Sequence, residues 1–179
     1  MKPLNETYPG ACDAPPAQTA GFCFNHTMLR VKDPARSLDF YTRVLGMRVL
    51  RRADFPAGKF SLYFLAFVGD GETVPDTVEQ RMAWLFARPA VLELTHNWGT
   101  EDDAGFAYHD GNREPRGFGH LCVSVPDLPA AIAWFDSNDV PYVKRPEQGA
   151  MRNVAFIKDP DGYWIEILQP GLMGGLGGA

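Results

Sequence analysis

The chain carries histidine and glutamate at repeated positions, and these residues are His26, Glu93, His120 and Glu166. Residues 24–33 (FNHTMLRVKD) resemble residues 118–127 (FGHLCVSVPD), with the two histidines aligned. Residues 91–94 (VLEL) resemble residues 164–167 (WIEI), with the two glutamates aligned. Each half of the chain therefore has one histidine early and one glutamate late, both in apolar surroundings. Two such pairs related by an internal repeat indicate a metal site shared between two similar modules.

The residue types at these positions restrict the kind of metal. A carboxylate on the inward face of a strand is costly unless it is paired or binds a metal ion. Imidazole and carboxylate together suit zinc, nickel, cobalt or iron(II), whereas calcium prefers oxygen ligands alone. The absence of cysteine from the set excludes the closed thiolate site of a structural zinc. The alternative is that each histidine and each glutamate has a local hydrogen-bond or arginine partner, and the repeat favours the metal site over it.

The elements that must position these residues follow from the apolar pattern. Alternation predicts a strand over residues 22–31, with His26 and Arg30 on one face. Asp33 as the N-cap and Pro34 at the first helical position predict a helix that continues to about residue 45. Further strands are predicted over residues 47–52, 60–68 and 90–95. Residues 69–80 are a predicted polar loop, and residues 81–88 fit neither a helix nor a strand clearly.

The second half repeats the order of the first. Its predicted elements are a strand over residues 118–125, a helix over residues 128–138, and strands near residues 140–144, 152–158 and 163–168. The sequence thus predicts an α+β fold of two βαβββ modules, with mixed sheets curved around a metal site. The predicted ranges are an N-terminal arm (1–21), a first module with an insertion and a connecting loop (22–115), a second module (116–170) and a flexible tail (171–179). The connecting loop, residues 96–115, contains His96 and His109, for which we expect no direct metal role.

Composition describes an ordinary globular protein. The chain has 179 residues, of which 45% are hydrophobic and 22% charged, and a net charge of −5. The acidic balance argues against nucleic acid or an anionic membrane surface as a partner. Three cysteines form no disulfide framework and suit reduced thiols. No stretch has the length of a membrane span, and the N-terminus lacks a signal-peptide pattern. We therefore expect a cytoplasmic protein.

Several longer runs resemble one known family. They are MLRVKDPARSLDFYTRVLGM, DFPAGKFSLYFLAF, LELTHNWGTEDD, RGFGH and AFIKDPDGYWIEIL, which together span about residues 22–170. The chain is similar over these runs to glyoxalase I (lactoylglutathione lyase), of the vicinal oxygen chelate superfamily. That family is built from paired βαβββ modules. It isomerises the hemithioacetal of glutathione and methylglyoxal to S-D-lactoylglutathione through an enediolate, a step in methylglyoxal detoxification.

The resemblance implies a metal site with ligands His26, Glu93, His120 and Glu166. In this family one divalent ion is bound per site, and the site closes across a homodimer interface with one module from each subunit. Long zinc enzymes often have glutamine in place of His26, whereas short, nickel-activated enzymes have histidine. Similarity over the whole chain favours zinc, with nickel or cobalt as alternatives. Glu166 would be the principal base and Glu93 its counterpart on the opposite face of the substrate.

Glutathione, the cosubstrate, carries two carboxylates that need cationic partners. Arg30 shares the strand face of His26, and the resemblance adds Asn97 and Arg116 for the γ-glutamyl end. Nearer the glycyl end it adds Lys144 and Met151, although the lysine that the family usually has before this methionine is Ala150 here. The residues expected to form an apolar pocket for the methyl group are Phe55, Leu62, Phe64, Met82, Phe86 and Met173. Solvated surface charge and plain core packing are the alternatives for these residues.

Three other functions are compatible with such a fold. An extradiol dioxygenase would use two histidines and one carboxylate on iron, and the fourth ligand here counts against it. A CoA-thioester epimerase is a further enzyme class, but the HNWGTEDD and RGFGH runs favour glutathione. A drug-sequestering protein has no need of the four repeated residues, so metal content would separate it from the enzyme.

Overall fold

Two four-stranded sheets of the same topology organise the protein in a computed structural model, which describes residues 8–12 and 14–174. The strand order is β1-β4-β3-β2 in the first sheet and β5-β8-β7-β6 in the second. The strands are β1 (His26–Val31), β2 (Arg48–Phe55), β3 (Phe60–Ala66), β4 (Val91–Asn97), β5 (His120–Ser124), β6 (Tyr142–Lys144), β7 (Val154–Lys158) and β8 (Trp164–Leu168). The helices of most consequence are α1 (Pro34–Asp39), α2 (Val78–Phe86) and α3 (Leu128–Ser137).

The two sheets share one pattern of strand directions. β1 runs parallel to β4, as β5 runs parallel to β8, and the remaining pairs are antiparallel. The prediction of an α+β fold with two mixed sheets is therefore confirmed. The strands of the first sheet all precede residue 115 and those of the second all follow residue 116, but the four ranges assigned to arm, modules and tail stay a prediction. Residues 1–7 of the arm and 175–179 of the tail lie outside the described residues.

One hydrophobic core joins the inner faces of both sheets. Leu29 and Leu94 from the first sheet belong to the same buried cluster as Ile165 and Ile167 from the second. The helix that starts at Pro34 packs on this core, with the side chain of Asp33 accepting hydrogen bonds from two backbone amides. It continues as a π-helix over Phe40–Val44, which the sequence did not predict. Because the inner faces are filled with apolar residues, the opposite faces are left for the polar residues of β1 and β5.

The predicted strand over residues 22–31 is wrong at its start, because β1 begins at His26. Phe22 and Phe24 are each 80% exposed. His26 pairs with Val91, and before that residue the chain turns through Pro89, which has no amide hydrogen. The partner strand β4 therefore begins level with His26 and offers nothing for earlier residues to pair with. Cys23, which was predicted to lie within a strand, is consequently exposed and outside one.

Two predicted boundaries around the insertion are also wrong. The polar loop assigned to residues 69–80 ends early, because α2 occupies Val78–Phe86 and includes the ambiguous segment. β4 runs to Asn97 rather than to residue 95, since Asn97 still pairs with Phe60. α2 covers the outer face of the first sheet through a second apolar cluster around Leu85, which is fully buried. Across the described residues, no helix combines the length and the hydropathy needed to cross a bilayer.

Candidate active site

Each sheet presents one histidine–glutamate pair. His26 Nε2 lies 3.4 Å from Glu93 Oε2, and His120 Nε2 lies 3.4 Å from Glu166 Oε2. The equal geometry follows from equal register, because His and Glu stand on neighbouring parallel strands, one pleat apart, in both sheets. We call these pairs the first half-site (His26 and Glu93) and the second half-site (His120 and Glu166).

An aromatic ring stands beside each half-site at equivalent positions. Phe64 pairs with Glu93 across the sheet and meets the ring of His26 edge-on, with centroids 6.3 Å apart. Phe156 pairs in the same way with Glu166, and its centroid lies 5.2 Å from that of the neighbouring histidine. Apolar rings remove water from the carboxylates, and a partly desolvated carboxylate is stabilised by a nearby cation.

Asn25 determines which nitrogen of His26 carries the proton. The Asn25 amide nitrogen donates to the carbonyl oxygens of Leu85 (3.1 Å) and Arg88 (2.7 Å), so its oxygen faces the other way. That oxygen lies 2.8 Å from His26 Nδ1 and can only accept a hydrogen bond. Nδ1 therefore carries a hydrogen, and in the neutral ring Nε2 presents its lone pair toward Glu93.

The donor set fits a divalent metal ion. With the His26 ring neutral, a nitrogen lone pair and a carboxylate oxygen face each other at 3.4 Å in the first half-site, and two acceptors cannot hydrogen-bond each other. Two ligands that each lie about 2.0–2.2 Å from one ion stand roughly 3 to 3.5 Å apart. The spacing and the types of these atoms therefore suit zinc or a similar ion. The second half-site has the same distance and the same residue types.

The half-sites do not combine within one chain. Among residues 8–12 and 14–174, no three histidine, cysteine, aspartate or glutamate side chains are placed to hold a metal ion together. Each copy of the chain thus carries two separate pairs. A catalytic zinc site normally has three protein ligands, so one pair alone is incomplete.

The two glutamates differ in their further neighbours. The Thr95 hydroxyl donates to Glu93 Oε1 over 3.2 Å. Glu166 has Cys122 opposite it in the strand register, and burial together with that carboxylate raises the pKa of the Cys122 thiol to about 11. Cys122 therefore stays a neutral thiol at physiological pH, and it is exposed on β5.

Arg30 and Asn97, predicted for the γ-glutamyl end, lie at the same end of the first sheet. Both are near Tyr108, whose hydroxyl donates to Asn97 Oδ1 over 3.4 Å. Burial raises the pKa of Tyr108, and the charge of Arg30 opposes that shift. The structure thus brings a guanidinium and an amide together beside a hydroxyl, a combination that can hold a carboxylate.

The other predicted polar contacts are not gathered in this way. Arg116 is exposed and forms an ion pair with Glu114, with 2.9 Å between Nε and Oε1. The Lys144 ammonium donates to three backbone carbonyls, those of residues 145, 151 and 154, and burial lowers its pKa. Met151 is 51% exposed. In this arrangement Lys144 holds the loop that carries Met151.

The predicted apolar pocket divides into core and surface parts. Phe64 is 4% exposed and packs with Leu62 and Met82 in the cluster under α2. Phe55 is 43% exposed and stacks on Phe60 with centroids 4.7 Å apart. The ring of Phe86 lies beside His26 at 6.3 Å and remains 44% exposed. Met173 is partly buried after β8.

The two histidines outside the repeat have local partners. His96 is buried on β4, and its Nε2 lies 2.6 Å from Glu101 Oε2, which also accepts from the amide of Gly99. Hydrogen bonds from its own backbone amide and from the His96 ring lower the pKa of Glu101. His109 Nδ1 accepts from the amide of Gly111 over 2.9 Å. Both histidines therefore stabilise turns of the connecting loop.

Sequence reasoning missed Asn25, because its partners belong to a helix that the sequence left ambiguous. A signal for that helix exists in the chain. Thr77 followed three residues later by Gln80 is the pattern of a capping box, and the Thr77 hydroxyl does accept from the Gln80 amide. With α2 recognised, the carbonyls at its end would require a donor, and Asn25 precedes His26 directly.

Comparisons with known proteins identify the family of the chain. Residues 24–167 match the model of the Glyoxalase/Bleomycin resistance protein/Dioxygenase superfamily. A lactoylglutathione lyase of Pseudomonas aeruginosa is 60% identical over 172 residues, which cover 96% of each protein. Glyoxalase I of Saccharomyces cerevisiae is 46% identical over 161 residues, which cover 88% of this chain and 46% of the yeast protein. Among solved structures, a trypanothione-dependent glyoxalase I of Leishmania major is 34% identical, with a TM-score of 0.60 over 84% of this chain and 88% of that one.

Proposed function

Because this chain belongs to the glyoxalase, bleomycin resistance protein and dioxygenase superfamily, we propose that it is an enzyme with lactoylglutathione lyase activity. The observation that carries the proposal is the pair of equal half-sites, each with a histidine nitrogen and a carboxylate oxygen 3.4 Å apart. A lactoylglutathione lyase that is 60% identical over 96% of the chain supports the same activity. The role in the cell is then the detoxification of methylglyoxal.

The proposed reaction moves a proton between two neighbouring carbons of the glutathione–methylglyoxal hemithioacetal. A base removes the proton from the carbon bonded to sulfur, and the neighbouring carbonyl carbon receives one in return. The hydroxyl oxygen becomes the thioester oxygen, and the former ketone becomes the alcohol of S-D-lactoylglutathione. A divalent cation held by the half-sites would stabilise the negative charge that develops on the two substrate oxygens. We assign the proton transfer to Glu166 and Glu93.

The environments of the two glutamates support Glu166 as the principal base. The Thr95 hydroxyl stabilises the charge on Glu93, because a hydroxyl is a good hydrogen-bond donor. Glu166 faces the Cys122 thiol, which is a weak donor. The carboxylate with the weaker internal donor is the freer of the two to take a proton from substrate.

For substrate binding we propose two sets of residues. Arg30 and Asn97 hold the γ-glutamyl carboxylate, which their shared position beside Tyr108 supports. The other set is assigned by resemblance: Arg116 at the γ-glutamyl end, Lys144 and Met151 nearer the glycyl end, and an apolar pocket for the methyl group formed by Phe55, Leu62 and Phe64. Lys144 reaches a substrate carboxylate only if it gives up bonds to backbone carbonyls.

We propose that the complete site forms between two copies of the chain. Each half-site offers two ligands, and within the described residues the halves of one copy do not meet. A two-fold dimer that places the first half-site of one copy against the second of the other gives four ligands at each of two sites. We propose zinc as the ion, with nickel and cobalt as alternatives, since imidazole and carboxylate suit all three. Localisation in the cytoplasm stays a prediction.

A reconstitution assay tests this function. The protein is stripped with a chelator and supplied with methylglyoxal and glutathione, and formation of the thioester is followed by its ultraviolet absorbance. We expect activity to disappear with the chelator and to return with zinc, nickel or cobalt. Activity that is indifferent to the chelator would contradict the metal role, and no thioester under any metal would contradict the lyase activity. Metal content should fall in His120→Ala and stay unchanged in His109→Ala, a histidine outside both half-sites.

A further inference from the structure

We propose that Asn25 is a positioning residue that ties His26 to the C-terminal end of α2, which makes the insertion of the first module part of the metal-ligand site. The inference rests on the proposed function in one respect, namely that His26 is a ligand. Its structural basis is a three-way contact. The Asn25 amide nitrogen donates to the carbonyls of Leu85 and Arg88, and its oxygen accepts from the ring of His26.

The direction of the Asn25 amide is fixed by chemistry. Both partners on the α2 side are carbonyl oxygens, at 3.1 and 2.7 Å, so only the amide nitrogen can face them. The amide oxygen is then the atom that faces His26 Nδ1, at 2.8 Å. This contact selects the ring form with hydrogen on Nδ1. It also orients Nε2, the atom that faces Glu93, as a hydrogen-bonded outer residue does for a metal-binding histidine.

The α2 side of this contact is firmly held. Leu85 is fully buried in the cluster that α2 forms with the first sheet. Arg88 lies over the ring of Trp84, with 4.3 Å between its guanidinium carbon and the ring centroid, and it pairs with Glu72 at 2.9 Å. The last carbonyls of a helix have no partner within the helix, and Asn25 supplies one. One side chain thus satisfies the end of α2 and aligns the ligand.

Within the described part of the chain, the second half-site has no counterpart to the Asn25 contact. The residue before His120 is Gly119, which has no side chain and aligns with Asn25 in the repeat. β7 and β8 are joined by the turn at residues 159–163, where the first module has α2 between β3 and β4. The repeat therefore preserves the ligands and differs in how they are held. His26 is oriented by the insertion, whereas the Gly119 position offers its histidine nothing comparable.

The tautomer of His26 in the metal-free protein tests the contact directly. Nuclear magnetic resonance of the ring nitrogens distinguishes hydrogen on Nδ1 from hydrogen on Nε2, and it needs neither metal nor substrate. At a pH high enough for the ring to be neutral, we expect the Nδ1–H form in the wild type and a mixture of both neutral forms in Asn25→Ala. An Nε2–H ring in the wild type would overturn the proposal, even if the variant folds poorly.

Metal affinity supplies the second measurement, by competition for zinc with a chromophoric chelator. We expect Asn25→Ala to weaken zinc binding by about 10- to 100-fold, the usual effect of losing a residue that orients a ligand. The matched control is Asn112→Ala, which removes an asparagine amide that donates to the carbonyl of Gly119 over 2.6 Å without touching a ring. Equal losses in both variants, or no loss in Asn25→Ala, would contradict the inference.

The two measurements also separate this inference from the proposed function. An Nδ1–H ring together with a failed lyase assay would remove the function and leave the Asn25 contact intact. An active, metal-dependent enzyme whose His26 tautomer is unchanged in Asn25→Ala would overturn the Asn25 inference and leave the proposed function intact.

Discussion

Single residues around the two half-sites differ, although the repeat makes the histidine–glutamate pairs alike. Glu93 accepts a hydrogen bond from the Thr95 hydroxyl, and Glu166 has a thiol in the corresponding surroundings. Both carboxylates lie the same distance from their histidines. Under the proposed function, Glu93 and Glu166 have different roles in proton transfer despite their equal distances from histidine. The difference arises because only Glu93 accepts a hydrogen bond from a hydroxyl.

Replacing Glu166 by glutamine tests this division. Gln keeps an oxygen for the metal but cannot accept the substrate proton, so we expect kcat to fall by roughly 10²- to 10⁴-fold with most of the bound metal retained. The measurement is steady-state kinetics beside metal content. Glu93→Gln is the matched variant and should lose less. A larger loss in Glu93→Gln would transfer the role of principal base to Glu93.

The sequence predicted the histidine–glutamate pairs because a repeat constrains several positions together. Register on parallel neighbouring strands places His and Glu side by side in both halves, and the alternation of apolar residues already set the face. Asn25 was not predictable in the same way. Its partners come from Leu85 and Arg88, and contacts between segments so distant in sequence leave no periodic pattern.

At the level of elements, the turn before β8, which belongs to the second module, forms hydrogen bonds with the first module. Asp159 in this turn is 3% exposed and accepts a hydrogen bond from the Tyr41 hydroxyl of the first module over 2.8 Å. The amides of Asp161 and Tyr163 donate to its other oxygen. Asp161 in turn accepts from the amide of Lys32, at the end of β1. The turn thereby fixes the second module against the start of α1.

The buried aspartate gives the stability a pH dependence. Burial raises the pKa of Asp159 from 3.8 to about 7. Between these values the folded protein keeps a proton that the unfolded chain has lost, so the stabilisation is complete below about pH 4 and is lost as the pH rises to about 7. Asp159→Asn is neutral throughout. We therefore expect the Tm of the wild type to fall relative to Asp159→Asn between about pH 4 and pH 7.

A surface aspartate supplies the control for this measurement. Asp136 is exposed, and its hydrogen bond with Arg145 lowers its pKa, so it is already ionised across that pH range. Asp136→Asn should leave the difference in Tm from wild type constant with pH. Parallel Tm profiles of wild type and Asp159→Asn would show that Asp159 is not protonated in the folded state.

The strands and helices were predicted well where one pattern governs the whole element and poorly where a partner decides the boundary. β1 starts four residues later than the alternation suggests, because β4 has no residues to pair with Phe22 and Phe24. α2 was missed because the polar residues near its start, Glu79, Gln80 and Arg81, continue the composition of the preceding loop. Its buried Leu85 becomes meaningful only against the outer face of the first sheet.

The whole molecule is incomplete as a catalyst if one chain carries two half-sites that do not meet. In the proposed dimer each site takes the first half-site from one copy and the second from the other. His26→Ala destroys every first half-site of a homodimer, and His120→Ala destroys every second one. Neither variant alone should then have a complete site.

Mixing these two inactive variants tests the arrangement. A mixed dimer contains one site with both histidines replaced and one with both intact. After unfolding and refolding together in equal amounts, we expect about a quarter of wild-type activity, since roughly half of the dimers are mixed and each has one intact site of two. No recovery in the mixture would place each site within a single chain, and so would an active monomer in gel filtration.

The separation of the half-sites also makes the specific activity depend on the protein concentration. In the proposed pairing, two free copies must encounter each other, so dilution should reduce the specific activity once the dimer dissociates. A tandem chain holding two copies would replace that encounter with a fixed effective concentration and would resist dilution. The aligned segment covers only 46% of the yeast relative. That protein is therefore long enough to hold two such segments. For a chain of this architecture, duplication of the gene would give the two copies a high effective concentration toward each other, and it would require no new metal ligand.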